Sequence, residues 1–470
     1  MLRVHLAELR DSWTAWLGVT ITFVMVNAML VIPSIIGYSG YQATRRGQLD
    51  FQQSAPYTIV QALMIAFICF VAIPVIGSAT GLVVDSRRGS LARLGLAGAT
   101  PQQVRGTLGS QLVAVVLACA AVGDLVGLAL VRPYLNLCYY AQRHESSWVP
   151  IEISWSLGPV LAANLLCVVV ALLGGRRHAG RASQIPPVEA LRQASAPLPR
   201  QGLGRGGWAK AVFLLLLIVG SYAAVPALLA HRNKETISNL LILGAFQIFF
   251  WGALLSVVGP LIAPPLTRFW TGLVPTTSPS WMLARATVTA RPERMQRSLT
   301  PAMFCVGLAV GEVGIGDSMI ATFNASGFEA QLTTGDLASF VQLLGPSLAI
   351  AFAGGIGTLI MMSRQRDAEL ALAGIAGATP RQRVWIPTLE AVIITVSAVL
   401  LASGMVIPAY VFQAYALSAA GMTWAMAFPW LTTFATVGVS ALVTVGSTVL
   451  PTLRARLLPE NRVIARLVAE

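Results

Sequence analysis

A polar segment that occurs twice constrains the fold of this chain more than any other feature of its sequence. The segment RRGSLARLGLAGATPQQV occupies 87–104, and RQRDAELALAGIAGATPRQRV occupies 364–384. Both copies lie between long apolar runs, and their shared AGATP core begins at Ala97 and again at Ala376, an offset of 279 residues. A repeat at a fixed offset indicates that the chain was built by duplication of one unit.

The composition places the chain in a membrane. Hydrophobic residues make up 56% of the 470 residues, charged residues only 11%, and the mean hydropathy is +0.71. A soluble chain of this length needs more charge to cover its surface and does not carry repeated apolar runs long enough to cross a bilayer. The net charge of +13 does not indicate nucleic-acid binding, because the basic residues lie in short loops that flank the apolar runs.

Ten apolar runs predict an all-α polytopic membrane protein with about ten transmembrane helices. The seventh run is the weakest, because Glu312 and Asp317 interrupt it. The runs cover 15–38, 58–84, 108–131, 151–173, 211–230, 240–262, 300–323, 339–362, 387–411 and 428–450.

The distribution of basic residues predicts the orientation. The N-terminus, the even-numbered loops and the C-terminus hold 26 of the 32 lysine and arginine residues. By the positive-inside rule, both termini and both AGATP segments are cytoplasmic, in a chain that crosses the inner or plasma membrane several times. Spans one to four and seven to ten then enter the membrane in the same direction. This predicts two parallel repeats and disfavours an inverted-repeat transporter.

Three regions follow from this arrangement. Residues 1–195 form a first four-helix unit with an N-terminal interfacial helix, 196–275 a linker and two connector helices, and 276–470 a second four-helix unit. The interfacial helix is predicted from Leu2, Leu6, Leu9 and Trp13, which recur at helical spacing, although an ordinary polar tail stays open as the alternative. A similar segment at 284–297 precedes the seventh span, and PPVEALR and PENRVIARL follow the fourth and tenth.

These motifs resemble a known family. The pattern of an acidic residue, a small apolar stretch and then G-A-T after the second helix of a four-helix unit, with P-x-E-A-L-R after the fourth, resembles the FtsX-type permease domain of ABC transporters, the group that includes MacB. Two such units joined by two helices are similar to the ten-helix permeases linked to antimicrobial-peptide detoxification. The resemblance covers nearly the whole chain.

The resemblance implies that each polar segment forms a short coupling helix that docks in a groove of an ATPase subunit. Apolar residues spaced three apart make one stripe of such a helix, and arginines flank it. A loop that only sets topology is the alternative. The implied site consists of the flanking Arg87, Arg88 and Arg366, the acidic position at Ser90 and Glu369, the anchors Leu91, Leu94, Leu370 and Ala373, and the turn residues Gly98, Thr100, Gly377 and Thr379.

The chain also departs from the family pattern. Ser90 replaces the acidic residue in the first copy, so the two units are expected to grip their ATPase subunits unequally. The large external domain of the family is missing, because the loops after the first and seventh spans have only about 19 and 15 residues between the predicted spans. Transport through an external stalk is therefore not expected.

No ATP-binding motif occurs in the sequence. GxxxxGK[ST] is absent, and GRGGWAK at 204–210 lacks both its spacing and the hydroxyl after the lysine. We expect no cofactor on this chain, with ATP and Mg²⁺ bound by two copies of a separate ABC ATPase subunit. The four histidines and five cysteines form no catalytic or metal motif, so enzymatic activity is not indicated.

Three carboxylates within the spans are candidates for a translocation path or polar seam: Asp124, Glu312 and Asp317. Hydration near the outer surface, or a bond to a neighbouring helix, is the alternative. The resemblance implies ATP-driven export or extraction of a hydrophobic or amphipathic substrate, such as an antimicrobial peptide, lipid or drug. Because the predicted external loops are short, we expect this substrate to enter from membrane lipid. A mechanotransmitter that regulates a sensor kinase or envelope enzyme stays open, as does an ion-coupled carrier.

Overall fold

The computed structural model is helical, with no strand among the residues it describes. Those residues are 13–87, 96–141, 149–182, 203–230, 236–276, 278–290, 292–327, 342, 344–358, 361, 377–379 and 381–455. The predicted N-terminal interfacial helix and the segments PPVEALR and PENRVIARL lie outside them.

Eleven helices make up the described fold. They are α1 (Trp13–Arg45), α2 (Phe51–Ser86), α3 (Pro101–Ala141), α4 (Leu157–Ala182), α5 (Arg205–Ala230), α6 (Thr236–Gly272), α7 (Pro279–Ala290), α8 (Pro292–Ala325), α9 (Leu344–Thr358), α10 (Gln382–Ala419) and α11 (Trp430–Ala455).

Eight of these helices are long and apolar enough to cross a membrane, so the prediction of a polytopic α-helical membrane protein is confirmed. They are α1 to α6, α8 and α10. The eighth and tenth predicted spans correspond to shorter described apolar helices, Leu344–Thr358 in α9 and Trp430–Gly446 in α11. Each of the ten predicted runs therefore coincides with a helix, although the structure shows only eight full-length spans in its described part.

The helices extend well beyond the apolar runs. The loop between α1 and α2 is only 46–50, so the predicted loop of about 19 residues after the first span is wrong. Polar residues continue the helix there, because their side chains bond within it: Gln42 Nε2 donates to Tyr38 Oη (2.9 Å) and Thr44 Oγ1 donates to the carbonyl of Gly40 (2.9 Å). Hydropathy therefore marks the apolar middle of these helices and not their ends, and the start of the fourth predicted span at 151 is wrong, because α4 begins at Leu157.

Two helical bundles that share part of their packing form the described part of the protein. In the first, α1 packs against α2, α3 and α4, and α3 also packs against α4. In the second, α8 packs against α10 and α11, and α10 also packs against α11. In the first unit α1 thus packs against all three other helices, whereas in the second α8 and α10 pack against each other and both contact α11.

The connector helix α6 joins the two bundles. It packs against α8 and α10 of the second unit and also against α2 of the first. An aromatic cluster forms the second contact, in which the rings of Phe67 on α2 and Phe249 on α6 stack with centroids 4.2 Å apart. The other connector helix, α5, packs mainly on α6 and presents exposed apolar residues such as Phe213 and Leu216 on its outer face.

Candidate coupling site and polar clusters

The turn before α3 is built by the end of the first AGATP motif. Gly98 has a φ of +89°, a left-handed conformation that favours glycine. Two residues later, the backbone N–H of Thr100 donates to Gln103 Oε1 (2.8 Å), while the N–H of Gln103 donates to Thr100 Oγ1 (3.3 Å). This reciprocal pair is a capping box, with Pro101 in the first helical position.

The second motif builds the same turn before α10. Gly377 has a φ of +92°. The N–H of Thr379 donates to Gln382 Oε1 (2.9 Å), and the N–H of Gln382 donates to Thr379 Oγ1 (3.3 Å). The repeated GATPxQ pattern therefore has a physical meaning: a left-handed glycine ends one segment, and a capping box starts a long helix.

Both turns belong to one side of the helical bundle, which we call the motif side; the opposite side is the far side. Because α1 and α2 are joined by a tight loop, the start of α1 and the end of α2 share a side. Gly18 near the start of α1 packs directly against Gly357 near the end of α9, so α9 ends on that side too. Gly98 and Gly377 follow α2 and α9 along the chain.

The AGATP turn of the first motif is accessible, whereas the first arginine of the motif is buried. Leu96 is 51% exposed, and Gly98 and Thr100 are exposed beside it. Arg87 is buried, and its Nη1 donates to Gln111 Oε1 on α3 (2.5 Å). The segment between α2 and α3 is thus anchored at its start by a side-chain bond to the helix that follows it.

The rest of the predicted coupling site lies outside the described residues, and its docking role stays a prediction. These positions are Arg88, Ser90, Leu91, Leu94, Arg366, Glu369, Leu370 and Ala373.

Asp124 is the centre of a polar cluster between three helices of the first unit. Asn27 Nδ2 on α1 donates to Asp124 Oδ1 (2.7 Å) and also contacts the carbonyl of Ala120 (3.1 Å), and Asn164 Nδ2 on α4 donates to Asp124 Oδ2 (3.0 Å). The two asparagines were not among the predicted site residues, although an asparagine in an apolar run is a signal that could have found them.

Glycines bring α1 and α3 together around this cluster. A Cβ on Gly123 would lie 2.8 Å from Asn27 Cβ, and one on Gly127 would lie 2.9 Å from the carbonyl oxygen of Ala28. Both distances are too short for a real side chain. The Gly-x-x-x-Gly spacing therefore permits the close helix approach that places Asn27 against Asp124.

The other two carboxylates lie on α8 and share no described contact with Asp124. Glu312 is 2% exposed, and its Oε1 accepts no hydrogen bond from the described residues. The flanking Gly311 packs against Ile248 on α6 and Val406 on α10, which places Glu312 in the second unit and its connector. Asp317 is only partly buried.

Comparison with known proteins decides the family. A family model described as FtsX-like permease C-terminal matches 62–187 and 302–459, which together exceed half of the chain. The chain belongs to the FtsX-like permease family. Each matched segment of this permease contains one AGATP turn and the last helix of a unit, in agreement with two repeats. A search of curated proteins found no matching sequence.

Family membership makes the protein a multi-pass membrane permease component of an ABC-type system. Within it, the two capped turns on the motif side are the repeated, accessible features of both units. The cluster around Asp124 lies in the first unit and is not part of the repeated sequence.

Proposed function

We propose that this permease couples ATP hydrolysis by two separate ATPase subunits to the export or extraction of a hydrophobic or amphipathic substrate. The observation that supports it is the pair of AGATP turns, which have the same backbone geometry and lie on the same side of two parallel bundles. A topology signal needs only basic residues. It does not need two left-handed glycines, each followed by a capping box.

The turns are well placed to transmit force. Each begins a long helix, α3 with 41 residues and α10 with 38. At 1.5 Å per residue these helices are about 60 Å long, well beyond the ~30 Å hydrocarbon core. A displacement of the ATPase subunits at either turn would therefore move the far end of a continuous helix, and Arg87 gives the first segment a second attachment to α3 through Gln111.

The second unit differs from the first at the position of Gln111. Arg366 and Glu390 stand at the repeat offset from Arg87 and Gln111, and Glu390 is buried on α10. A buried carboxylate therefore takes the place of the amide that accepts from Arg87 in the first unit. Because Glu369 also stands at the repeat offset from Ser90, we expect the two ATPase contacts to be unequal.

The motif side is assigned to the cytoplasm of the inner or plasma membrane, since the basic residues are concentrated in the loops of that side. Export is favoured over signalling to a sensor kinase or envelope enzyme by the loop 46–50, which offers little surface on the far side of the first unit. Such a partner would instead need a broad contact area there.

Matched glycine variants test this proposal. Gly98→Ala and Gly377→Ala each place a side chain at a left-handed position on the motif side, and Gly421→Ala does the same on the far side at a φ of +88°. At all three positions a new Cβ would meet no atom within 4 Å, so the backbone strain of about 1–2 kcal/mol is the shared cost.

The measurement is the ATPase activity of the reconstituted complex, together with its thermal stability. We expect the two motif-side variants to weaken ATPase binding and substrate-stimulated hydrolysis several-fold, while Gly421→Ala changes stability alone. Equal effects on hydrolysis from all three variants would contradict a special role for the AGATP turns. A stable envelope enzyme or kinase that co-purifies, with no substrate stimulation, would favour signalling.

A further inference from the structure

The Asp124 cluster lies where the first bundle meets lipid. On α3, the neighbouring Leu125 is 70% exposed, and on α4, Leu161 and Leu165 beside Asn164 are 64% and 67% exposed. Asp124 and Asn164 are each partly buried, at the edge between these lipid-facing residues and the core. The carboxylate is therefore reachable from the side of the bundle.

The cluster also lies within the apolar layer rather than at its surface. Asn164 comes seven residues after the start of α4 at Leu157, which corresponds to about 10 Å along the helix axis. Trp155, which is 59% exposed just before that start, is typical of the membrane interface. A carboxylate at this depth is costly unless something compensates its charge.

The hydrogen bonds in the structure compensate it only in part. Each Asp124 oxygen accepts one amide N–H, although a carboxylate offers about four lone-pair sites. No basic side chain among the described residues forms an ion pair with Asp124. Asn27 is fully buried, and its Oδ1, like that of Asn164, accepts no hydrogen bond in the described part of the chain.

The groups of this cluster that lack a hydrogen-bond donor in the described structure are therefore oxygen acceptors. Each asparagine Oδ1 is bonded to the same carbon as the Nδ2 that contacts Asp124, so both oxygens lie close to the carboxylate, where they are themselves buried. A donor that enters from the lipid therefore meets the partly exposed Asp124 first. A negative charge flanked by two amide oxygens fits a cation that carries several N–H donors. The exposed leucines beside it fit an alkyl chain.

We propose that Asp124, Asn27 and Asn164 bind the primary ammonium headgroup of an amphiphile that enters sideways from the lipid of the far-side leaflet. The inference deepens the proposed function by naming the class of headgroup, and it rests on that function for its role in transport. The second unit has no such site at the repeat offset, where Ser403 replaces Asp124 and its hydroxyl bonds to the carbonyl of Leu400 (2.8 Å). The binding site is thus specific to the first unit.

The test uses the full permease alone, in nanodiscs of zwitterionic phosphatidylcholine. The probe is a dodecylamine with a diazirine in its chain, and its photo-crosslinks are mapped by mass spectrometry. Competitors are dodecylamine, dodecyltrimethylammonium, which has equal charge but no N–H donor, and neutral dodecanol. The variants are Asp124→Asn, which keeps the shape without the charge, and Asp124→Ser, which copies the second unit.

We expect crosslinks near Leu125, Leu161 and Leu165 that dodecylamine displaces at least about tenfold better than the other two competitors. Both variants should lose this labelling while crosslinks on the exposed face of α5, near Leu216, persist as the lipid background. Equal labelling of wild type and variants, or equal competition by dodecyltrimethylammonium, would overturn the proposal. Since no ATPase is present, failure of ATP coupling cannot produce either result.

The variants' folding is checked by the same crosslinks on α5 and by thermal unfolding. If Asp124→Asn unfolds, Asp124→Ser serves as the second variant, because serine stands at the equivalent position of the second unit. It should lower labelling near Leu161 several-fold. Unchanged labelling in a folded Asp124→Ser variant would also overturn the proposal.

Discussion

Val75 on α2 and Gly354 on α9 are 279 positions apart, the offset of the repeat, and they touch each other: a Cβ on Gly354 would overlap Val75 Cγ1. Equivalent residues of two repeats meet only near the axis that relates them. The contact therefore locates the centre of the interface between the two units, and it does so between a branched side chain and a glycine.

This contact predicts a size-compensating pair. Gly354→Ala should lower the free energy of unfolding by about 1–3 kcal/mol, because the added methyl has no room beside Val75. Val75→Ala opens that space, so the double variant Val75→Ala/Gly354→Ala should be more stable than Gly354→Ala alone. Thermal unfolding of the three variants in nanodiscs measures this coupling. Additive losses in the double variant would show that the two residues are not in contact.

A second pair of glycines lies so close that a side chain on either one should destabilise the protein, and no substitution of the other residue would make room for it. A Cβ on Gly18 would overlap the carbonyl oxygen of Gly357, and a Cβ on Gly357 would overlap that of Gly18. Because both obstacles are backbone atoms, Gly18→Ala and Gly357→Ala should each destabilise the protein by at least about 2 kcal/mol. Gly220→Ala on α5, where a Cβ meets nothing within 4 Å, is the control and should be neutral or stabilising. A mild effect of Gly357→Ala, comparable to that of Gly220→Ala, would argue against this interface.

An extended segment on the far side is held by a row of hydroxyls on α8. The backbone N–H groups of residues 423, 425 and 427 donate to Ser326 Oγ, Thr322 Oγ1 and Ser318 Oγ at 3.0–3.1 Å. Four residues of a helix rise about 6 Å, and two residues of an extended chain span about 6.7 Å. Every second amide of the segment is therefore level with a hydroxyl one turn further along α8. In the first unit, Ser39, at the repeat offset from Ser318, accepts the N–H of Ser154 (3.0 Å) in the same way.

Thr322→Val should therefore weaken this attachment. The isosteric change leaves the N–H of Ala425 without its acceptor, at a cost of about 1–3 kcal/mol. Hydrogen exchange at Ala425 should accelerate about fivefold or more. Thr287→Val, whose hydroxyl bonds only to the carbonyl of Leu283 in the described structure, should leave exchange at Ala425 unchanged. Unaltered protection of Ala425 in Thr322→Val would show that the amide has another acceptor.

The buried carboxylate of Glu390, at the repeat offset from Gln111, makes a prediction about tolerance. Glu390→Gln recreates the residue of the first unit and should retain ATPase coupling, whereas Glu390→Ala should reduce it several-fold and destabilise the protein, because it removes a buried polar side chain and its interactions. The measured quantities are substrate-stimulated ATP hydrolysis and thermal stability. Equal losses from Glu390→Gln and Glu390→Ala would contradict the equivalence of Glu390 and Gln111.

The sequence was sufficient for the features that depend on local chemistry. Apolar runs predicted the positions of the spans, and the repeated AGATP core predicted a turn at Gly98 and Gly377, because left-handed glycines and caps are encoded within a few residues. The ends of the helices could not be predicted from the sequence, because polar residues such as Thr44 form their hydrogen bonds within the helix and continue it.

Contacts between residues far apart in the chain could not be predicted from the sequence either. Asn27 and Asp124 are separated by 97 residues, and nothing in the periodicity of either run indicates which faces of α1 and α3 meet. The same holds for the surroundings of Glu312, which the structure shows almost completely buried, and its role in a polar seam stays a prediction. Long-range packing of apolar helices depends on shape, and only small residues such as Gly123 leave a weak trace of it in the sequence.

The most direct test of the central claim is the accessibility of the two turns, with and without the ATPase subunit. Ala99→Cys and Ala378→Cys stand at the repeat offset in the two motifs, and Arg46→Cys in the loop between α1 and α2 is the far-side control. The native cysteines Cys69, Cys119, Cys138, Cys167 and Cys305 are replaced first. A membrane-impermeant maleimide should label both motif variants only from the cytoplasmic side, with labelling suppressed by bound ATPase, and the control only from outside. Labelling of Ala99→Cys and Ala378→Cys from outside, or labelling that bound ATPase does not change, would contradict the account.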